Sequence, residues 1–325
     1  MIDYRRWGRG ADGQPIGLWT LSDREHQARF TEWGARWLGW RAAGRQLLMG
    51  PMNAQLVAGD KWFVGVTVGR FANRIGHGRF RIGARCYQIP PNEGRHALHG
   101  GAQGLWARTW QAGAGELNGQ PTVRFDIVSP AGEMGFPGVL KVEVSFTLAA
   151  GELRIGYRAV SDASTVLNLT NHAYFNLDGG DVRDHRVQVF ADHVVGVDDE
   201  SVPTGQLWPV AGSDLDLRRP RRVGEVCDSA DARIRDCGGL DHCYALNASG
   251  PVARLSAGRV GLSVHTDQPG LQVYSGQFLS GPWRPHQGIC LETQQFPDAP
   301  NRPEFASTLI EPGVEWRSAT SYRLD

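Results

Sequence analysis

The sequence predicts an all-β protein, a large sandwich of antiparallel sheets. Three observations carry this. Apolar and polar residues alternate with period two over several stretches of five to eight residues, the mark of half-buried strands. Forty-two glycines and eighteen prolines punctuate those stretches at close intervals. No stretch has the longer apolar period of an amphipathic helix.

Taken in order, Gly8-Arg-Gly-Ala-Asp-Gly13 fits G-x-G-x-x-G formally. No strand pattern precedes it and no helical pattern follows, so it reads as a turn and not as a dinucleotide site. Residues 28–40 are aromatic and punctuated by glycine, which suggests paired strands bent at Gly34. Phe80 to Ile89 reads as two short strands around Gly83-Ala84. Val123 to Ile127 alternates cleanly, as do Val142 to Leu148 and Leu153 to Ala159, which flank the turn Ala149-Ala-Gly-Glu152 and form the clearest hairpin. Val187 to Val189, Leu262 to Val264 and Leu271 to Val273 repeat the theme. No linker, low-complexity segment or fixed-period repeat interrupts the 325 residues, so 1–325 is expected to be a single domain.

Composition narrows the function classes. A hydrophobic content of 41 % supports a sizeable core, and the formal net charge of zero argues against nucleic acid or an anionic membrane as a partner. No apolar run approaches the roughly 20 residues a membrane span needs. Met1-Ile-Asp-Tyr-Arg-Arg has no apolar segment after its charges, so no signal peptide is expected and the expected location is cytoplasmic. Cys86, Cys227, Cys237, Cys243 and Cys290 are odd in number and lack a C-x-x-C spacing, so buried free thiols are expected. Lys61 and Lys141 are the only lysines, and no Gly-Lys pair exists, which excludes a Walker-type phosphate loop. Neither lysine suits Schiff-base chemistry, since Lys141 falls on the polar face of a strand pattern. No G-x-S-x-G nucleophile motif is present.

Chemistry-bearing residues collect in six places. Five are Gly69 to Ile75, Asn92 to Gly101, Asn168 to Asp178, Gly239 to Tyr244 and Pro269 to Gln277. The sixth is Gly288-Ile-Cys-Leu-Glu-Thr-Gln-Gln-Phe-Pro-Asp298, an apolar run ending on Glu292. It reads as a buried strand opening into a loop, with Glu292 on the same side as Cys290. A carboxylate held there suits a general base, and a salt bridge to an arginine is the plain structural alternative. In the third cluster, a continuous strand would set Asn168, Thr170, His172 and Tyr174 on one face, a polar row lining a cleft. His172 could equally be a core histidine bonded to a carbonyl. His96 and His99 form H-x-x-H, but the glycines that follow argue against a helical metal site and no third ligand is indicated nearby. Arg70 and Arg74 flank a segment with Asn73 and are either surface charges or donors to hydroxyls and ring oxygens. Trp106, Trp283, Phe296 and Tyr274 are available as aromatic surfaces. The sum is a site for an uncharged polyhydroxylated ligand, either proton-transfer chemistry on a sugar or sugar binding alone.

At these residues the sequence resembles the aldose 1-epimerase (galactose mutarotase) family. The matching segments, in the family's order, are Gly69-Arg-Phe-Ala-Asn-Arg-Ile75, Leu98-His-Gly-Gly101, Asn168-Leu-Thr-Asn-His172 with Tyr174-Phe-Asn-Leu177, Asp241-His242, Pro269-Gly-Leu-Gln-Val-Tyr274, and Leu291-Glu-Thr-Gln294 with Phe296-Pro-Asp298. The resemblance implies the mutarotase-like supersandwich and interconversion of the α and β anomers of free aldoses such as D-galactose and D-glucose. It implies Glu292 as general base and His172 as general acid. It also implies that His99 and Arg74 bind and polarise the sugar, that Asn73, Asp241 and Gln272 contact its hydroxyls, and that neither metal nor organic cofactor is needed. Ala173, Cys243 and Gln295 depart from the family's usual residues. Proton transfer would need His172 protonated while Glu292 is ionised, hence a modest upward shift of the imidazole, with the two groups on opposite sides of the sugar ring. The expected partner is a monosaccharide, with a monomer as the default state and a dimer left open. A non-catalytic sugar sensor, a sugar-phosphate epimerase drawing on Leu217-Arg-Arg-Pro-Arg-Arg222, and a glycosidase pairing Glu292 with Asp241 are the competing readings.

Overall fold

The computed structural model of the chain describes residues 1–247 and 250–325. Three antiparallel sheets carry the architecture. A nine-stranded sheet runs in the order Gln111–Leu117, Gln120–Ser129, Leu140–Ala149, Glu152–Ser161, Trp316–Leu324, Val260–Thr266, Ala253–Ala257, Arg186–Val189, Arg221–Arg222. A seven-stranded sheet runs Pro203–Pro209, Ala191–Val197, Asp241–Leu246, Gly270–Tyr274, Ile289–Gln294, Tyr174–Phe175, Leu48–Met49. A five-stranded sheet is formed by the first five strands, from Ile2–Arg9 to Arg45–Gln46. Among the described residues the α-helices are four or five residues long, as expected for a chain without helical periodicity.

The hairpin read from alternation forms as expected. Leu140–Ala149 pairs with Glu152–Ser161, and Val142, Val144, Phe146 and Leu148 are buried. One apolar face per strand sets this register, because a one-residue slip would expose every one of them. Gly34 has φ 74° and stands between His26–Thr31 and Arg36–Ala42, which pair as expected. The glycine-rich segment Gly8 to Gly13 needs a correction. Strand Ile2–Arg9 does precede it, although most of its side chains are exposed and give no alternating signal. It is nonetheless a hairpin turn, with Gly10 N–H donating to Gln14 O at 2.9 Å, and Pro15–Ser22 follows it as a strand.

The core lies between the sheets. Trp37 of the five-stranded sheet packs against Phe175 of the seven-stranded sheet and Tyr322 of the nine-stranded one, with ring centroids 5.9 and 5.6 Å away. Tyr322 donates its hydroxyl to Leu291 O at 3.0 Å. This clamps strand Trp316–Leu324 across the back of strand Ile289–Gln294. Ile289 and Leu291 therefore face the core, and Cys290, Glu292 and Gln294 face the other way. A rigid, doubly covered strand is what holds Glu292 in place.

Candidate active site

Glu292 opens onto a cleft of about 170 Å³ lined by Trp62, Phe63, Asn73, Arg74, Glu93, Leu98, His99, His172, Tyr174, Asp241, Gln272, Tyr274, Phe278 and Glu292. All seven residues singled out from the sequence line it. Three neighbouring strands deliver the carboxylates and the amide. Gln272 is paired across the ladder with Glu292, and Asp241 with Tyr274. Gln272 Nε2 donates to Asp241 Oδ1 at 2.6 Å, which holds both on one edge of the cleft.

His172 arrives from the neighbouring segment. Tyr174 pairs with Cys290, and continuing that antiparallel register sets His172 opposite Glu292. The main chain of His172 is fixed from both sides: its N–H donates to Val66 O at 2.9 Å, and its carbonyl accepts from Gly65 N–H at 2.8 Å. His172 Nε2 lies 3.7 Å from Glu292 Oε1, and its Nδ1 lies 3.4 Å from Cys290 Sγ. No arginine pairs with Glu292 among the described residues, and its Oε2 is buried without a hydrogen-bond partner. The salt-bridge alternative is thus removed. The two groups stand side by side, close to one point of the cleft, not on opposite sides of a ring.

The direction of the His172 shift also needs correction. Burial lowers its pKa to about 4, outweighing the pull of Asp60. Burial, helped by the negative charge of Asp241, pushes the Glu292 carboxyl well above the ordinary range. Both effects favour the uncharged forms in the unliganded cleft. A sequence carries no measure of burial, which is why an upward shift looked sufficient.

His99 is set by a reciprocal lock. Its N–H donates to Asn73 O at 3.1 Å, and Asn73 N–H donates to His99 Nδ1 at 3.2 Å. Accepting at Nδ1 leaves Nε2 carrying the hydrogen in the neutral ring, so His99 presents a donor to the cleft. Burial, then His172 and Arg74, keep its pKa well below the usual value and the ring neutral. Gly100 makes the lock attainable: it has φ 82°, and a Cβ there would lie 2.1 Å from Gly69 O. Arg74 forms a two-pronged bond to Glu93 at 2.7 and 2.8 Å, and Asp241 and Glu93 raise its pKa against the cost of burial. Burial raises the pKa of Asp241, opposed by Arg74 and by the Gln272 bond.

Ligand atoms of His99, His172 and Glu292 come within 4.8 Å of one another, so a third metal-type ligand does stand near His99, contrary to the sequence reading. The donor set does not suit a metal ion, because binding at Nε2 of a neutral His99 would put a hydrogen on Nδ1 against the Asn73 N–H. The other half of H-x-x-H, His96, faces a different cavity, where its Nδ1 accepts from His77 N–H at 3.0 Å.

The other sequence candidates separate clearly. The segment from Thr165 is a broken strand, paired at Thr165–Val166, Thr170–Asn171 and Tyr174–Phe175 with a single bridge from Asn168 to Phe71, and both of its faces are buried. Of the proposed polar row, only His172 and Tyr174 line the cleft. The Asn168 amide instead donates to Ala72 O and Gln295 O. Arg70 is neither a surface charge nor a sugar donor: it is buried and bonds Ser129, Pro130, Pro137 and Gly138. Of the four aromatics proposed, only Tyr274 lines the cleft. The cysteines are unpaired, but only Cys243 and Cys290 are buried, and Cys86 is exposed. The Arg218 to Arg222 run is an outer-surface segment paired with Asp216, Asp192, Asp214 and Asp184.

Sequence reasoning missed Trp62, Phe63, Glu93 and Phe278. Trp62 and Phe63 sit on a loop tied down by Asp60, which accepts from Trp62 N–H at 2.9 Å and Val64 N–H at 2.8 Å and pairs with buried Arg36 at 2.8 Å. Phe63 wedges its ring edge-on against His99, with centroids 4.7 Å apart. Adjacent aromatics beside Asp60 and Lys61 were the available signal, one that any partly exposed loop could show.

Comparison with known proteins agrees with this arrangement. The family model for aldose 1-epimerase matches residues 17–323. A galactose mutarotase of Rattus norvegicus is 41 % identical over 278 residues, covering 80 % of this chain and 78 % of that protein. An aldose 1-epimerase of Escherichia coli (strain K12) is 34 % identical over 336 residues, covering 96 % of each. The crystal structure of a galactose 1-epimerase from Lactobacillus acidophilus superposes with a TM-score of 0.94 at 27 % identity, covering 100 % of this chain and 98 % of that one. Ala173, Cys243 and Gln295, where this sequence departs from the family's usual residues, all lie outside the cleft lining. A match that runs over nearly the full length, on the same supersandwich, leaves one assignment: the chain belongs to the aldose 1-epimerase family.

Proposed function

We propose that the protein is a mutarotase that interconverts the α and β anomers of free aldoses such as D-galactose and D-glucose, with Glu292 and His172 as its proton-exchanging pair. The observation that carries this is the buried pair itself, 3.7 Å apart and without an arginine, beside a donor histidine. The two oxygens that trade protons in mutarotation, O1 and the ring oxygen O5, are both bonded to C1. Neighbouring acid and base groups can therefore serve both.

In the ring form, Glu292 removes the O1 proton while His172 delivers its Nε2 proton to O5. The C1–O5 bond breaks and C1=O1 forms. C1 rotates about its bond to C2, and the reverse transfers close the ring on the other face. The pair holds one proton throughout. With the closed ring it is a carboxylate and an imidazolium; with the open-chain aldehyde it is a carboxylic acid and a neutral imidazole. Burial favours the second state, so the cleft favours the ring-opened stage, and sugar hydroxyls donating to the carboxylate restore the first. Arg74 and the Nε2–H of His99 bind the sugar near C1, and Asn73, Asp241 and Gln272 hold its hydroxyls.

The cleft chemistry supports an unphosphorylated sugar. Among the described residues Arg74 is the one arginine lining it, and its Nε and Nη2 are committed to Glu93, which leaves Nη1 for a sugar oxygen and no arginine cluster for a phosphate. The test is polarimetry on freshly dissolved α-D-galactose. Faster approach to anomeric equilibrium supports the reading. No acceleration, with sugar binding still visible by calorimetry, would make the protein a sensor or an enzyme for a different sugar.

A further inference from the structure

The mechanism above uses His172 at Nε2 as both proton donor and proton acceptor, which puts a demand on its other nitrogen. If Nδ1 lost its hydrogen, the neutral ring would carry it on Nε2 and could no longer take a proton there. Something must keep the hydrogen on Nδ1. Among the described residues, the side chain within hydrogen-bond reach of Nδ1 is Cys290, with Sγ at 3.4 Å. Cys290 is fully buried and lies two residues before Glu292 on the same face of the strand.

We propose, on the reading of His172 and Glu292 given above, that Cys290 is a positioning residue: its sulfur accepts the Nδ1 hydrogen of His172 and so leaves Nε2 free to cycle its proton. One strand face then supplies both the base and the holder of the acid. Burial and the neighbouring Glu292 keep the thiol far above its usual pKa, so it acts as a neutral, weak acceptor and not as a thiolate. That matters for the reaction. A carboxylate behind the ring would stabilise the imidazolium and hold its proton back. A neutral sulfur fixes the ring's orientation while leaving it easy to deprotonate. The other titratable groups around the ring are Glu292 in front, Tyr174 on its own segment, Asp60 on the adjoining loop and His99 across the cleft. The main-chain carbonyl of His172 itself also favours the protonated ring.

The experiment compares wild type, Cys290→Ala and Cys290→Ser by polarimetry over pH, with Glu292→Gln as the control for the underlying reading. Alanine should lower kcat about tenfold at unchanged KM, the size of one lost hydrogen bond. Serine, a stronger neutral acceptor, should restore kcat to within about threefold and move the acid limb of the profile upward. Alanine with wild-type kcat and an unmoved acid limb would overturn the role of Cys290. A Glu292→Gln enzyme that turns over normally would instead overturn the mechanism beneath it. A second measurement reads the wild type at its unaltered Cys290: nitrogen-15 spectra of the imidazoles, with the His172 signals assigned by their loss in a folded His172→Gln variant. The hydrogen on Nδ1 in the neutral ring supports the proposal, and the Nε2–H tautomer overturns it.

Discussion

Replacing Glu292 by glutamine removes the proposed base while keeping its shape. The residue is 2 % exposed and stands among Gln272, His172 and Cys290. An amide there can still donate to the bare Nε2 of His172, so the cleft should keep its shape and sugar binding should persist. What is lost is proton exchange with O1. General acid–base catalysis contributes roughly 10²–10⁴-fold per group, about 3–5 kcal/mol of barrier. The polarimetric kcat should fall by that factor with KM within about threefold of wild type. The same change should stabilise the fold. The Glu292 carboxyl has a pKa raised above its unfolded value, so its contribution is fully present below the unfolded pKa and is lost as pH rises through the folded one. Glutamine does not titrate. The variant's Tm should match wild type near about pH 5 and exceed it near about pH 8, with the gap growing as pH rises. Near-normal turnover would remove Glu292 from the mechanism. A variant that loses activity and melts lower at both pH values would refute the claim that the carboxyl is held at a cost to the fold.

Four further expectations follow from the geometry. The pair must carry one proton, so a second proton on His172 stops the reaction; the acid limb of kcat/KM should lie near His172's value of about 4, and a limb near about 6.5 would contradict the burial argument. Asp241→Asn should raise KM and lower the alkaline limb, because Asp241 accepts from Gln272 beside the sugar and its charge helps hold the Glu292 proton; an unmoved limb would separate the two carboxyls. Turnover should survive exhaustive chelation, since the tautomer of His99 blocks its use as a ligand, and recovery only on adding zinc would reverse that assignment. Gly100→Ala should cost at least about 1–2 kcal/mol from its left-handed backbone alone and weaken sugar binding by displacing His99, which calorimetry with the sugar would detect.

The legible parts of the sequence were those with one buried face. Leu140–Ala149 and Glu152–Ser161 alternate because their other face is solvated, so period two is written into the residues. Where both faces are covered the pattern disappears. Ile289–Gln294 is buried at every position and could be read only as a short apolar run ending in a carboxylate. The segment around His172 failed for the same reason. Asn168 reads as part of a cleft-facing row, but its amide satisfies the main-chain carbonyls of Ala72 and Gln295, just as Asn171 on the opposite face satisfies that of Gly65. The motif residues of the cleft were legible through their resemblance to a family. Trp62, Phe63 and Phe278 were not, because their place depends on loops held by distant partners, such as Arg36 for Asp60 and Ser280 O for the Trp62 indole.

The electrostatics of the site were the least legible part, and they matter most for the reaction. Reference pKa values alone make Glu292 an anion and His172 a near-neutral base in water. The fold buries both without a cationic partner and reverses the balance, and it does so with the strand that also carries Leu291 into the core, where Tyr322 of strand Trp316–Leu324 donates to the Leu291 carbonyl. Stability and reactivity are therefore coupled on alternate residues of Ile289–Gln294. Ile289 and Leu291 contribute apolar burial, while Cys290 and Glu292 hold an imidazole and a carboxyl in their less solvated forms. Shortening Leu291 should thus act on both. A Leu291→Ala cavity costs about 2–5 kcal/mol of stability, and it loosens the backbone that keeps Glu292 within 3.7 Å of His172. The rate should fall at temperatures where the protein is still folded, and a Leu291→Ala enzyme that melts early but keeps full kcat below its transition would show that the pair is positioned by something other than this strand.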